Sequence, residues 1–364
     1  MSLQIALVGL PNVGKSTLFN ALTKSTAAAA ENFPFCTIDP NVGIVQLEDE
    51  RLEQISQIAH AAKTIPETIE FVDVAGLVKG ASQGEGLGNQ FLSHIRECDA
   101  VALVLRFFED GNIIHVDGKV DPKSDLEVIE TELILADLQT AEKALDKAER
   151  NAKSNEKSAL QRAAALRKIK AVLAEGKRAS QAELADDEEF VWKEMQFLTG
   201  KPFLFVANVA EADVAAFDVA AAKAQLGLSE QDELVPVSAK IEAELAGLTA
   251  EEASEFLADL GLQESGLQKL AHAAHQRLGL ARYFTAGEKE ARAWTIRQGM
   301  TAPQAAGVIH TDFEKGFIRA DVVPAADFIA QGGWSKCREL GKVRSEGKEY
   351  VMHDGDVCLF KFNV

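Results

Sequence analysis

The sequence predicts an α/β chain: an open sheet alternating with helices, interrupted by a helical insertion and followed by a small α+β module. Three observations carry this prediction. The apolar run Leu3–Val8 leads into Gly9-Leu-Pro-Asn-Val-Gly-Lys-Ser16 and then the helical Thr17-Leu-Phe-Asn-Ala-Leu22. Residues 125–198 show helical periodicity and no strand signal. Beyond about residue 280, short alternating segments and turn signals take over. The domains so drawn are 1–124 with 199–280, an insertion at 125–198, and a module at 281–364.

Strand, glycine-rich turn and helix in that order are the setting a phosphate-binding loop requires. Gly9 and Gly14 let the backbone curl so that consecutive N–H groups point at one anion. The helix beginning near Lys15 adds its positive end. Pro11, Asn12, Val13, Gly14, Lys15, Ser16 and Thr17 are therefore the candidate cradle. Lys15 is placed to reach β- and γ-phosphates, and the Ser16 hydroxyl to ligate Mg²⁺.

The connector at 26–41 contains Phe33-Pro34-Phe35, extended because a residue before proline disfavours the helical region. Strands are expected at 43–47 and 68–73, with a helix at about 51–62 between them. Asp73-Val-Ala-Gly76 ends the second strand, and glycines at 80, 84, 86 and 88 make the following stretch mobile until something orders it. A helix at 89–97 and a buried strand at 99–105 come next, the apolar run 100–108 being interrupted by Arg106.

In the insertion, Leu126, Ile129, Leu133 and Ala136 recur at helical spacing, as do Leu138, Ala141, Leu145, Ala148 and Ala152, then Leu166, Ile169 and Leu173. A polar tip at 151–158 joins two antiparallel helices in a coiled-coil-like arm. Residues 142–181 hold eleven Lys/Arg against five Asp/Glu. Such a face is either simply solvated or a docking surface; Arg167, Lys168 and Lys170 belong to it. The sheet resumes at 202–208, residues 234–240 supply one more strand and its loop, and a helix at 267–278 closes the first domain. In the module, strands are expected at 291–296, 317–323 and 356–362, with a short helix at 303–309. Tyr350-Val-Met352 and the last strand flank Asp354-Gly355, which reads as a hairpin.

With 47% apolar and 26% charged residues in 364, the chain is long enough for a real core and has globular composition. No apolar run approaches the roughly 20 residues of a bilayer span. The first residues enter a strand directly, so neither a signal peptide nor a membrane association is expected. Cys36, Cys98, Cys337 and Cys358 have no metal-ligand spacing and read as reduced thiols of a cytoplasmic protein. A net charge of −18 argues against a chain that coats nucleic acid generally, while leaving room for a local basic surface.

A phosphate loop that switches needs sensors. Thr37 can bring a hydroxyl to Mg²⁺, Asp73 can hold the metal through water, and Gly76 can offer a backbone N–H to the γ-phosphate. The residue after Asp73-Val-Ala-Gly76 is Leu77, which cannot orient water, so His115 is the candidate for that task, alongside Lys15 as a catalytic residue. A loop histidine in a structural hydrogen bond is the other reading of His115. Asn208-Val-Ala-Glu211 and Ser238-Ala239 stand where the base would be recognised. An Asn-Lys-x-Asp sequence, which would select guanine, is absent: Val209 replaces the lysine and Glu211 the aspartate. Asn208 can accept from an adenine N6 amine or donate to N7, and Glu211 should turn aside from the ring.

On Gly9-Leu-Pro-Asn-Val-Gly-Lys-Ser16, Asn32-Phe-Pro-Phe-Cys-Thr-Ile-Asp-Pro-Asn41, Asp73-Val-Ala-Gly-Leu-Val-Lys-Gly-Ala81 and Asn208-Val-Ala-Glu211, the chain resembles the YchF/Obg-like ATPase family over essentially its whole length. The resemblance implies a P-loop NTPase domain with an inserted helical arm and a C-terminal TGS module of β-grasp shape. It implies ATP/ADP as nucleotide, Mg²⁺ on Ser16 and Thr37, and a role on the ribosome and in stress responses. A monomer docking through arm and TGS module is the expected form. Two classes stay open: a slow ATPase that switches on a ribosomal partner, with a guanine switch as its variant, or a constitutive ribosome- or RNA-binding adaptor with structural nucleotide.

Overall fold

A computed structural model describes residues 3–30, 41–74, 87–110, 119–153 and 156–363. They fall into two compact units, one of Leu3–Ile44 with Glu70–Leu270, the other built from Val45–Ile69 and Ala271 onward. Residues 45–69, which the sequence reading assigns to the first domain, thus cluster with the C-terminal module.

The larger unit holds the central strands of a six-stranded sheet with order β2-β4-β1-β5-β6-β7, where β1 is Leu3–Val8, β2 Val42–Leu47, β3 Thr64–Ile65, β4 Glu67–Asp73, β5 Ala100–Arg106, β6 Phe203–Asn208 and β7 Glu233–Val237. β1, β5, β6 and β7 run parallel, with Val8 opposite Leu103, Arg106 opposite Asn208, and Asn208 opposite Val237. Every residue of β5 is buried, as expected of a parallel strand covered on both faces. The loops leaving β1, β5, β6 and β7 therefore emerge side by side at the carboxyl edge, where such sheets bind ligands. α1 (Lys15–Ala30) follows β1, α2 is Glu50–Ala59, and α3 (Leu87–Glu97) precedes β5.

The insertion is helical, as its periodicity requires. α4 (Pro122–Ala152) starts at Asp121, whose carboxylate accepts from Ser124 N at 3.2 Å, with proline in the first turn. α5 (Lys157–Ala174) returns against it. Ion pairs Glu149–Arg167 (2.8 Å) and Glu142–Lys170 (3.2 Å) fix the sense: as numbers fall along α4 they rise along α5, so the pair is antiparallel. Ala141, Leu145, Ala148, Ala163, Leu166, Ile169 and Leu173 form the buried seam.

The smaller unit carries a mixed sheet of order β11-β10-β12-β8-β9-β3, where β8 is Leu280–Ala286, β9 Ala291–Arg297, β10 Phe317–Pro324, β11 Arg344–Glu346 and β12 Asp356–Phe362. Its centre is the parallel pair β12/β8, with antiparallel neighbours β10 and β9. The helix Ala302–Ile309 covers one side through Ala302, Ala305 and Ala306. Asp354-Gly355 does not close a hairpin. β12 pairs with β10 and β8, and Val351 makes only an isolated bridge to Thr301. Instead Gly355 (φ 87°) makes a turn whose Asp354 carboxylate accepts from Arg282 N (2.7 Å) and Arg51 Nη1 (2.8 Å). Among the described residues no helix is long and apolar enough to cross a membrane.

Candidate nucleotide site

The loop after β1 has the shape its glycines imply. Gly14 has φ 92°, and a Cβ there would lie 2.0 Å from Asn208 Nδ2, so no other residue fits. Asn12 also has positive φ, 65°, which asparagine tolerates better than most side chains. Leu18 N donates to Gly14 O at 3.0 Å, starting α1 directly at the loop.

A cavity of about 990 Å³ opens there. Pro11, Asn12, Gly14, Lys15, Ser16 and Thr17 line one side, and Asn208, Val209, Glu211, Ser238, Ala239 and Lys240 also border it. Val13 points away: its side chain is buried, and its carbonyl accepts from Asn208 Nδ2 at 2.8 Å. Asn208 Oδ1 in turn accepts from Ala239 N at 3.1 Å. The amide that the sequence reading turns toward the base thus clamps the loops after β1 and β7 together. One N–H and one lone pair are left to face a ligand.

Lys15, only 8% exposed, donates to Val74 O at 2.9 Å and to the Asp73 carboxylate. Asp73 does not border the cavity but stands beside it through this pair. Glu211 is ion-paired with Lys240 at 2.5 Å, and that hydrogen bond holds the lysine above its ordinary range. Its carboxylate is thereby drawn toward a lysine. Val209 is buried, its N–H bonded to Val237 O at 2.9 Å. Thr37, Gly76 and His115 lie outside the described residues.

The donors present suit a nucleotide with Mg²⁺. The backbone curl and buried ammonium at the start of α1 match a polyphosphate. A serine hydroxyl and one carboxylate are hard oxygens, and Mg²⁺ characteristically takes few protein ligands beside phosphates. Among the described residues there is no cluster of three or more His, Cys, Asp or Glu able to hold a metal.

Phe108, Glu109 and Asp110 also border the cavity, and sequence reasoning missed them. Their signal is topological: they follow β5, which lies between β1 and β6. The charged Arg106 ending an apolar strand was the one local clue.

Comparison with known proteins gives the same picture. Residues 4–209 match the family model described as 50S ribosome-binding GTPase, and residues 280–363 match YchF-GTPase_C, described as a protein of unknown function. The chain is 52% identical over 367 residues to the ribosome-binding ATPase YchF of Bacillus subtilis, with all of both chains covered. It is 50% identical over 364 residues to the protein of the same name from Escherichia coli, again covering both completely. The solved structure of the Schizosaccharomyces pombe YchF GTPase superposes with a TM-score of 0.88 at 38% identity, covering 99% of this chain and 98% of that one. The cradle, its asparagine clamp and full-length likeness agree: the chain belongs to the YchF/Obg-like ATPase family.

Proposed function

We propose that the chain binds ATP, hydrolyses it slowly to ADP and phosphate, and uses the bound nucleotide to switch its affinity for the ribosome in the cytoplasm. The observation that carries this reading is the cavity at the start of α1, with Lys15 buried beside it and the loop locked by Asn208. On this reading Lys15 exchanges Asp73 for the β- and γ-phosphates, since both are anionic partners for one ammonium. Ser16, Thr37 and Asp73 would hold Mg²⁺, which would neutralise charge on the phosphate oxygens. Gly76 N–H would sense the γ-phosphate, and His115 would orient the attacking water in place of a glutamine that Leu77 cannot imitate. The C-terminal module is read as a TGS domain, which with the helical arm would contact the ribosome.

Guanine offers N1–H and N2–H side by side to an aspartate, whereas Glu211 is a methylene longer and is engaged by Lys240. Position 211 accounts for lost guanine selection; that ATP and ADP should bind more tightly than GTP and GDP rests on the likeness to relatives named as ATPases. Lost pairing at a polar base edge typically costs a few kcal/mol, about ten-fold or more in affinity. Titration of the purified chain with all four nucleotides tests this; tighter GTP than ATP binding would falsify it. Val209→Lys with Glu211→Asp should move the balance toward guanine. His115→Ala should lower turnover by roughly ten-fold or more with ATP affinity kept, and equal turnover removes His115 from the mechanism. Ribosomes should stimulate turnover, whereas a constitutive adaptor would show no stimulation.

A further inference from the structure

Arg106 is among the largest fully buried side chains, only 1% exposed, at the end of an otherwise apolar strand. Burying a guanidinium costs several kcal/mol unless its donors are satisfied, and leucine would pack there without that cost. Two of its donors reach the loop that follows. Nε donates to Phe108 O at 3.1 Å and Nη2 to Asp110 O at 3.4 Å. The guanidinium lies over the Phe108 ring, 4.5 Å from its centroid. A planar fork reaching the carbonyls of Phe108 and Asp110, with a ring against its face, fixes the path of this loop and the position of that ring. Phe107 is held separately: its N–H donates to Asn208 O at 2.8 Å, and its ring meets Phe217 edge-on at 5.4 Å. Phe108 and Asp110, the residues Arg106 holds, border the cavity together with Glu109 between them.

We propose that Arg106 is a positioning residue for nucleotide binding, fixing Phe108 to Asp110 as a wall of the nucleotide cavity. This rests on the nucleotide reading of that cavity. Arg106 does not itself line the cavity; it acts through residues 108–110. Lysine, a point donor without the planar fork, can satisfy one carbonyl but cannot brace the loop or stack on the ring. Removing the brace should weaken ATP in ground and transition states alike, raising KM rather than lowering kcat.

The test is a double-mutant cycle in the full chain, with ATP titration, steady-state kinetics and thermal melting on each protein. Arg106→Gln should raise the Kd and KM for ATP about ten-fold with kcat within about two-fold, and Arg106→Lys should fall between it and the parent. Phe108→Ala, at a partly exposed position, should raise both constants as well. If Arg106 acts through the wall, Arg106→Lys adds little in the Phe108→Ala background, whereas an independent role gives additive effects. The Arg106→Lys arm decides the matter even if Arg106→Gln fails to fold. Parent-like KM in a folded Arg106 variant, or additive effects in the cycle, overturns the assignment while leaving ATP binding by the parent intact. A parent that binds no nucleotide overturns the nucleotide reading, and this inference with it.

Discussion

Glu67 is buried in the smaller unit among charges: Arg282 Nε and His275 Nε2 each lie 3.5 Å from its Oε2, and Thr295 donates to Oε1. Asp49, Arg51 and Asp354 complete the group. Burial pushes the Glu67 carboxyl from 4.5 up to about 7, against the pull of the Thr295 hydrogen bond and Arg282. Burial, aided by Arg282, pushes His275 from 6.5 down to about 4. The signs oppose. A raised carboxyl contributes stability that is full below 4.5 and lost as pH rises through about 7. A lowered imidazole has stability lost at low pH and regained by 6.5. The slopes offset each other in the overlap, and above 6.5 only the fall due to Glu67 remains. Glu67→Gln, which cannot ionise, should therefore gain on the parent by about 2 kcal/mol between pH 5.5 and 8. Thermal melts at those two pH values check it, and a constant difference refutes it. None of this was legible beforehand, because Glu67 meets its partners only once distant segments fold together. The phosphate loop was legible because its geometry is local, written in Gly9, Gly14 and Lys15 within one turn of chain. The wall at Phe108 was not, since β5 comes between β1 and β6 only by strand order.

Among elements, the helical insertion is legible from spacing, since a long amphipathic stripe leaves few alternatives. β8 was missed: Leu280–Ala286 follows the helix Gly266–Arg277 after only two residues, and Gly279 at φ 59° marks the break. β3 is two residues long, too short to show a period, and exists through its parallel partner β9. The root of the arm depends on Asp137, fully buried on α4. It accepts from Leu198 N (2.9 Å), Thr199 N (2.8 Å) and Thr199 Oγ1 (2.7 Å), and Thr199 Oγ1 itself accepts from Ala179 N (2.9 Å). Arg96 of α3 lies 3.8 Å from the same carboxylate and donates to Thr140 Oγ1 at 3.1 Å. One side chain thus joins α4, the end of the insertion and the helix preceding β5. Asp137→Ala would strand two buried N–H groups and should cost about 3 kcal/mol. Urea unfolding measures this, and a loss below about 1 kcal/mol would mean those N–H groups find other acceptors.

For the whole molecule, the ribosome binding proposed above raises the question of how a chain of net charge −18 would meet a polyanion. The basic excess at 142–181 is not uniform once folded. Arg167 pairs with Glu149, Lys168 with Glu188 (2.6 Å), Lys170 with Glu142 and Arg162 with Glu194 (2.5 Å). These pairs spend much of their charge within the chain. Lys143, Lys147, Arg150, Lys153 and Lys157 are exposed, and among the described residues none has an ion-pair partner. Residues 143, 147 and 150 share one stripe of α4, since they recur at four and three. The distal part of the arm is therefore the stronger candidate for phosphate contact than the Arg167 segment that sequence alone singles out. Each phosphate neutralised releases counterions, so binding through this stripe should weaken steeply with salt. Reversing Lys143, Lys147 and Arg150 to glutamate should abolish most ribosome co-sedimentation at moderate salt and flatten the salt dependence by about two to three units of log–log slope. Reversing Arg167, Lys168 and Lys170 should do less, because each replacement also breaks an existing pair rather than a phosphate contact. ATP affinity should be unchanged in both. If the first variant sediments like the parent at low and moderate salt, the arm does not dock through its basic stripe.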